Sequence, residues 1–120
     1  MRKILIIDDS SFQRKIVSTL LQENGFETIT AENGRAGIDT ALREHPDLIT
    51  TDLLMPDFDG FYFLEQACAR KLGIPVIIIS SDIQDATRNR CLSLGADDFL
   101  YKPVKKEILI SAINKLIGAR

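Results

Sequence analysis

The 120-residue sequence predicts an α/β domain, a doubly wound parallel sheet of five strands with five flanking helices. Three observations carry that prediction. Apolar runs of strand length, such as Lys3-Ile4-Leu5-Ile6-Ile7 and Pro75-Val76-Ile77-Ile78-Ile79, lack the alternation of a half-exposed strand, so they read as parallel strands covered on both faces. Between them lie segments whose apolar residues recur at helical spacing. The two patterns alternate five times with short connections, and helical crossovers are what a parallel sheet requires. The length allows a single domain over 1–120, burying roughly two-thirds of the surface exposed by the unfolded chain.

The first strand, Lys3 to Ile7, closes on Asp8-Asp9, with Ser10 and Ser11 as capping candidates. Phe12, Ile16, Val17, Leu20 and Leu21 form the apolar stripe of a first helix that Asn24-Gly25 stops. Phe26 to Thr30 alternates loosely, as suits an edge strand. Asn33-Gly34 opens a second helix carrying Ala36, Ile38, Ala41 and Leu42, which Pro46 ends; His45 stands at that end, where an imidazole meets the helix dipole. Leu48 to Thr51 is the third strand and delivers Asp52 into a loop, because Pro56 and Gly60 prevent any regular element from continuing.

Phe61, Leu64, Ala67 and Cys68 mark a third helix running to Gly73. The Pro75–Ile79 strand is the most apolar, which predicts an interior position, and it ends at Ser80-Ser81-Asp82. A fourth helix from Ile83 to Leu94 has few apolar positions and should pack thinly. Asp97 to Tyr101 is the fifth strand, Lys102-Pro103 turns the chain, and Ile108, Leu109, Ala112, Ile113, Leu116 and Ile117 line the last helix. The sequence ends at Gly118-Ala119-Arg120 with no linker begun, which favours a stand-alone domain while leaving open a domain cut from a longer regulator.

Composition narrows the function. With 45% hydrophobic and 27% charged residues, the chain is neither disordered nor fibrous. A balance of 15 Lys+Arg against 17 Asp+Glu gives no reason to expect nucleic acid as a direct partner. Apolar runs such as Val76-Ile77-Ile78-Ile79 are far too short to insert in a membrane, and Met1-Arg2-Lys3 leads into a strand and not into a signal peptide. Cys68 and Cys91 lack metal-site or redox-motif spacing, which fits a reduced, cytoplasmic setting.

What closes each strand is the informative part: Asp8-Asp9, Asp52, Ser80 and Lys102. Singly, each has an ordinary explanation as a cap, turn or solvated residue. In an open α/β sheet, however, ligands bind outside the carboxyl ends of the strands where the strand order reverses. With the order 2-1-3-4-5, adopted from flavodoxin-like sheets and not read from spacing, all these groups share one rim. Carboxylates crowded there cannot all stay ionised without a cation, and Mg²⁺ suits an all-oxygen site with room for a phosphate oxygen. Ser80 adds a hydroxyl and Lys102 a mobile charge, so the set suits a phosphoryl group accepted by Asp52.

The segments Ile7-Asp8-Asp9-Ser10, Thr51-Asp52-Leu53-Leu54-Met55-Pro56-Asp57-Phe58-Asp59-Gly60, Pro75 to Ser80 and Gly95 to Pro103 together resemble the receiver domain of two-component response regulators, in the same order and over nearly the whole chain. The resemblance implies that Asp52 takes a phosphoryl group from a phosphohistidine on a sensor histidine kinase or phosphotransfer protein. It implies Mg²⁺ held by Asp9, Asp52 and the Leu54 backbone carbonyl, with Asp8 acting directly or through water. Ser80 and Lys102 would contact the phosphoryl oxygens. Phe99 matches an aromatic that swings inward with the switch hydroxyl, and Lys102-Pro103 matches a bond that is often cis. Leu54 and Asp82 occupy positions that modulate water access and phosphoryl lifetime. Output would pass through the fourth helix, fifth strand and last helix to an unknown partner or a second copy, with Arg88, Asp97, Asp98, Lys105 and Lys106 as exposed candidates. Such a protein is a switch with at most slow autophosphatase activity.

Three rivals use related parts. A haloacid-dehalogenase-type phosphohydrolase also forms an aspartyl phosphate, but it wants an acid two residues after the nucleophile, where Leu54 stands; Asp57-Phe58-Asp59 has the spacing only within the loop. A flavodoxin-like FMN carrier would meet repulsion between Asp8-Asp9 and the flavin phosphate. A phosphorylation-independent interaction module on the same fold would not need the complete set of site residues.

Overall fold

Ten elements alternate in the computed structural model, which describes residues 1–118: β1 (Lys3–Ile7), α1 (Ser11–Glu23), β2 (Glu27–Ala31), α2 (Gly34–Glu44), β3 (Leu48–Asp52), α3 (Gly60–Ala69), β4 (Val76–Ser80), α4 (Asp85–Ser93), β5 (Asp98–Tyr101) and α5 (Lys106–Ile117). The strands form one parallel sheet in the order β2-β1-β3-β4-β5. Ala119 and Arg120, on which part of the stand-alone expectation rested, lie outside the described residues.

Successive strand residues point to opposite faces, so an unbroken apolar strand feeds two cores. Leu5, Ile7, Ile49, Ile78 and Phe99 meet α2, α3 and α4 on one side; Ile4, Ile6, Leu48, Ile77 and Leu100 meet α1 and α5 on the other. No helix among the described residues is long and apolar enough to cross a membrane.

At the end of the sheet away from the polar rim, two matching clamps align β1 with β3 and β4 with β5. Asp47, just before β3, donates its N–H to the Lys3 carbonyl at 2.8 Å and accepts the Lys3 N–H on Oδ2 at 2.7 Å. Asp97, just before β5, does the same to Val76, at 2.8 and 2.9 Å. Each aspartate thus holds the first residue of the neighbouring strand by both backbone groups. Asp97, expected as a surface candidate, has its carboxylate engaged here.

Three expectations need correction. Phe12 and Ile16, expected in the apolar stripe of α1, are 69% and 44% exposed: they line open grooves on the α5 side of the helix, and Leu21 is its buried residue. Ile108 of α5 is likewise 51% exposed. α3 ends at Ala69 and not at Gly73, because Lys71 takes the left-handed conformation at φ 52° and Leu72 N–H closes back on the Ala67 carbonyl at 3.1 Å. α4 begins at Asp85, two residues later than the apolar Ile83, which is 79% exposed.

Candidate functional site

The parallel register brings the strand tips together. Ile7 pairs with Thr51, Asp52 with Ile79 and Ser80 with Tyr101, so Asp8, Asp52, Ser80 and Lys102 leave the sheet side by side. Each of Asp8, Asp9 and Asp52 offers a carboxylate oxygen within 4.8 Å of the others. Asp8 is buried, Asp9 exposed and Asp52 half-buried.

Local folding aims these groups. Asp8 Oδ1 accepts the Ser10 N–H at 3.0 Å, while its carbonyl accepts Arg14 Nη1 at 2.7 Å, which pins the β1–α1 turn. Ser10, and neither aspartate, is the N-cap of α1: its hydroxyl accepts the Gln13 N–H. That leaves the acids free for other work. Asp52 Oδ1 accepts the Leu53 N–H at 2.8 Å, and Oδ2 lies 3.0 Å from Lys102 Nζ. Lys102 also stands 4.0 Å from Asp8 Oδ2, bridging the two acids. The Lys102–Pro103 peptide is cis.

One ammonium set between Asp8 and Asp52, with the Asp9 carboxylate alongside, leaves the cluster over-charged. Burial pushes the Asp8 carboxyl above its ordinary value, the Ser10 N–H opposes this, and the Asp52 charge adds to the rise beyond what Lys102 offsets. The donor set is entirely hard oxygen, partly open and over-charged, which is what a small divalent cation fits.

The remaining residues are placed as follows. Ser80 is buried, and its Oγ accepts the Asp82 N–H at 3.0 Å. The Leu54 side chain is 65% exposed beside the site. Asp82 has its carboxylate on α4, accepting the Gln84 N–H at 2.9 Å and the Thr87 hydroxyl at 2.8 Å, and these bonds hold its pKa below the ordinary value. Phe99 is buried, edge-on to Tyr101 with ring centroids 5.3 Å apart. Asp59, the second acid of the dehalogenase-like spacing, is the N-cap of α3 and accepts the Tyr62 N–H, while Asp57 sits in a left-handed turn at φ 66°. Sequence reasoning did not find Arg14 or Thr87 as supports; a signal for Thr87 exists in the Asp-x-Gln-x-x-Thr spacing ahead of a helix.

Beside the acids, a groove of about 570 Å³ runs between α1 and α5, with Ile16, Val17, Leu20, Val104 and Leu109 among its lining residues.

A family model described as "Response regulator receiver domain" matches residues 4–114. The chain belongs to that family. This receiver is therefore a phosphoacceptor switch of two-component systems and not a catalytic enzyme. Protein PilH of Pseudomonas aeruginosa is 35% identical over 120 residues, covering 98% of this chain and 99% of its own. Chemotaxis protein CheY of Bacillus subtilis is 34% identical over 117 residues, covering 97% of the receiver and 98% of itself. Among solved structures, the CheX-CheY-BeF3-Mg complex of Borrelia burgdorferi superposes with a TM-score of 0.92 at 26% identity, covering 98% of this chain and 90% of that one. Receiver domains act with histidine kinases, and the acidic triad is of the type that binds Mg²⁺ in this family.

Proposed function

We propose that Asp52 is the phosphoacceptor of a receiver domain spanning 1–120, with Lys102 and Ser80 contacting the phosphoryl oxygens and Asp8, Asp9, Asp52 and the Leu54 carbonyl holding Mg²⁺. The observation that carries this reading is Asp52 Oδ2 at 3.0 Å from Lys102 Nζ within a group of three converging carboxylates. An Asp52 oxygen forms the new P–O bond as the P–N bond to a phosphohistidine donor breaks, and the electron pair leaves with the imidazole nitrogen. Lys102 shifts from the Asp52 carboxylate to the incoming oxygens, keeping its charge where negative charge accumulates. Mg²⁺, when bound, neutralises charge on acids and phosphoryl group alike.

The exposed Ile16 lines the apolar groove that borders the acids, and the exposed Phe12 lies with it on the outer face of α1, which supports an approach of the donor kinase or phosphotransfer protein over α1. Output passes through α4, β5 and α5 to a protein partner or second copy; the exposed Tyr101, Lys105 and Ile108 support that surface. A cytoplasmic setting agrees with the two free thiols, Cys68 and Cys91.

Acetyl phosphate with Mg²⁺ should add a single phosphoryl group by mass, and Asp52→Asn should abolish it. An adduct persisting in that variant would assign the chemistry elsewhere. Burial and the neighbouring Asp52 charge raise the Asp8 pKa and so make its ionised form unfavourable, and Asp8→Asn should therefore stabilise the metal-free protein in urea unfolding while weakening Mg²⁺ uptake. Leu54 cannot orient a water as an amide could, so Leu54→Asn should alter the lifetime of the adduct.

A further inference from the structure

α1, α2 and α3 are capped by side chains of their own N-cap residues, Ser10, Asn33 and Asp59. α4 and α5 are not, since Gln84 and Lys105 make no side-chain cap bond, but α4 is tied in another way. Asp82, outside the helix, supplies one instead, with Oδ1 on the Gln84 N–H and Oδ2 on the Thr87 hydroxyl. Its own N–H in turn rests on Ser80 Oγ. Three hydrogen bonds thus lead without a gap from the hydroxyl at the tip of β4 to the first turn of α4. That turn has little else, since Cys91, nearer the other end, is the buried residue of the helix.

Resting on the reading in which Ser80 contacts a phosphoryl group on Asp52, we infer that Asp82 is a positioning residue that ties the first turn of α4 to the Ser80 hydroxyl, and that the tie opens when this hydroxyl turns to the phosphoryl oxygens. The Ser80 O–H donates to an ionised phosphoryl oxygen, a bond roughly twice as strong as a neutral one, and the side-chain rotation that aims it there carries Oγ away from the Asp82 N–H. Asp82 is only half-buried, and water takes the freed N–H at small cost. The loosening stops part-way along the helix. Cys91 stays enclosed, and the Arg90 guanidinium lies 3.8 Å from the centroid of the Phe61 ring. α4 therefore pivots on its C-terminal half.

Amide exchange read by NMR with Mg²⁺, with and without acetyl phosphate, tests the tie, with phosphoryl uptake checked by mass in the same wild-type sample. On phosphorylation, exchange at Gln84 and Arg88 should rise about five- to tenfold while Leu94 changes little. Asp82→Ala should show the raised exchange already in the free protein and no further rise. Asp82→Asn, which keeps an oxygen for the Gln84 N–H, should restore part of the protection and part of the response. A wild-type adduct with unchanged exchange at Gln84 and Arg88, or an Asp82→Ala response equal to that of wild type, overturns the tie alone. Failure of the wild type to gain a phosphoryl group overturns the functional reading and the tie with it.

Discussion

α2 and α4 pack on the same side of the sheet but are held in different ways. α2 buries Gly34, Gly37, Ile38, Thr40 and Ala41, and its own Asn33 caps it. Its glycines let it sit tight: a Cβ on Gly34 would stand 2.7 Å from the Asp59 carbonyl, and one on Gly37 would collide with Ile7. α4 buries Cys91, has no apolar stripe, and borrows its cap from a residue outside itself. Buried area and a self-contained cap make α2 part of the framework. A helix anchored by a few polar bonds and one ring stack can change position at small cost, and elements that move are drawn from that low-stability end.

The sharpest way to press this contrast is to cut the framework. Phe63 of α3 is fully buried against the α2 side, so Phe63→Ala should cost about 3–5 kcal/mol in urea unfolding. Gly34→Ala forces a Cβ against backbone that cannot step aside and should cost about 2–3 kcal/mol. Cys91→Ala, the equivalent cut in α4, should cost only about 1 kcal/mol. A Cys91 loss as large as that of Phe63 would break the comparison. Arg90→Ala removes the stack on Phe61 from an exposed position, so its cost should stay below about 1 kcal/mol.

Acid gives the subtlest test. The Asp82 carboxyl has a folded-state pKa below the ordinary 3.8, so its contribution is complete above that value and is lost as pH falls through the lower, folded one. The cap of α2 is an amide and does not titrate. Below about pH 4, protection of the Gln84 amide relative to its intrinsic exchange rate should therefore be lost before that of Ala36, the residue Asn33 caps.

The same contrast explains what could be read from residue order. The strands and their polar tips were legible, because a parallel strand buried on both faces is a plain apolar run and the residue closing it stands out. The framework helix α2 announced itself through Asn33-Gly34. The start of α4 did not: the apolar Ile83 invited an early start, but Asp82 captures the Gln84 N–H and holds the chain in a turn until Asp85. Phe12 misled for a different reason, since helical spacing reports which side of α1 is apolar and not whether a neighbouring element covers it. The paired functions of Asp47 and Asp97 depend on which strand lies next door, and spacing along the chain carries no such information.

Those two aspartates have a reach beyond their own surroundings. Each fixes where one strand begins beside another, and since every residue advances a strand by about 3.3 Å, the height of Asp8 beside Asp52, and that of Ser80 beside Lys102, is dictated from the opposite pole of the molecule. A residue inserted near Asp47 or Asp97 would carry through undiminished, displacing one chemical group past its neighbour without touching either.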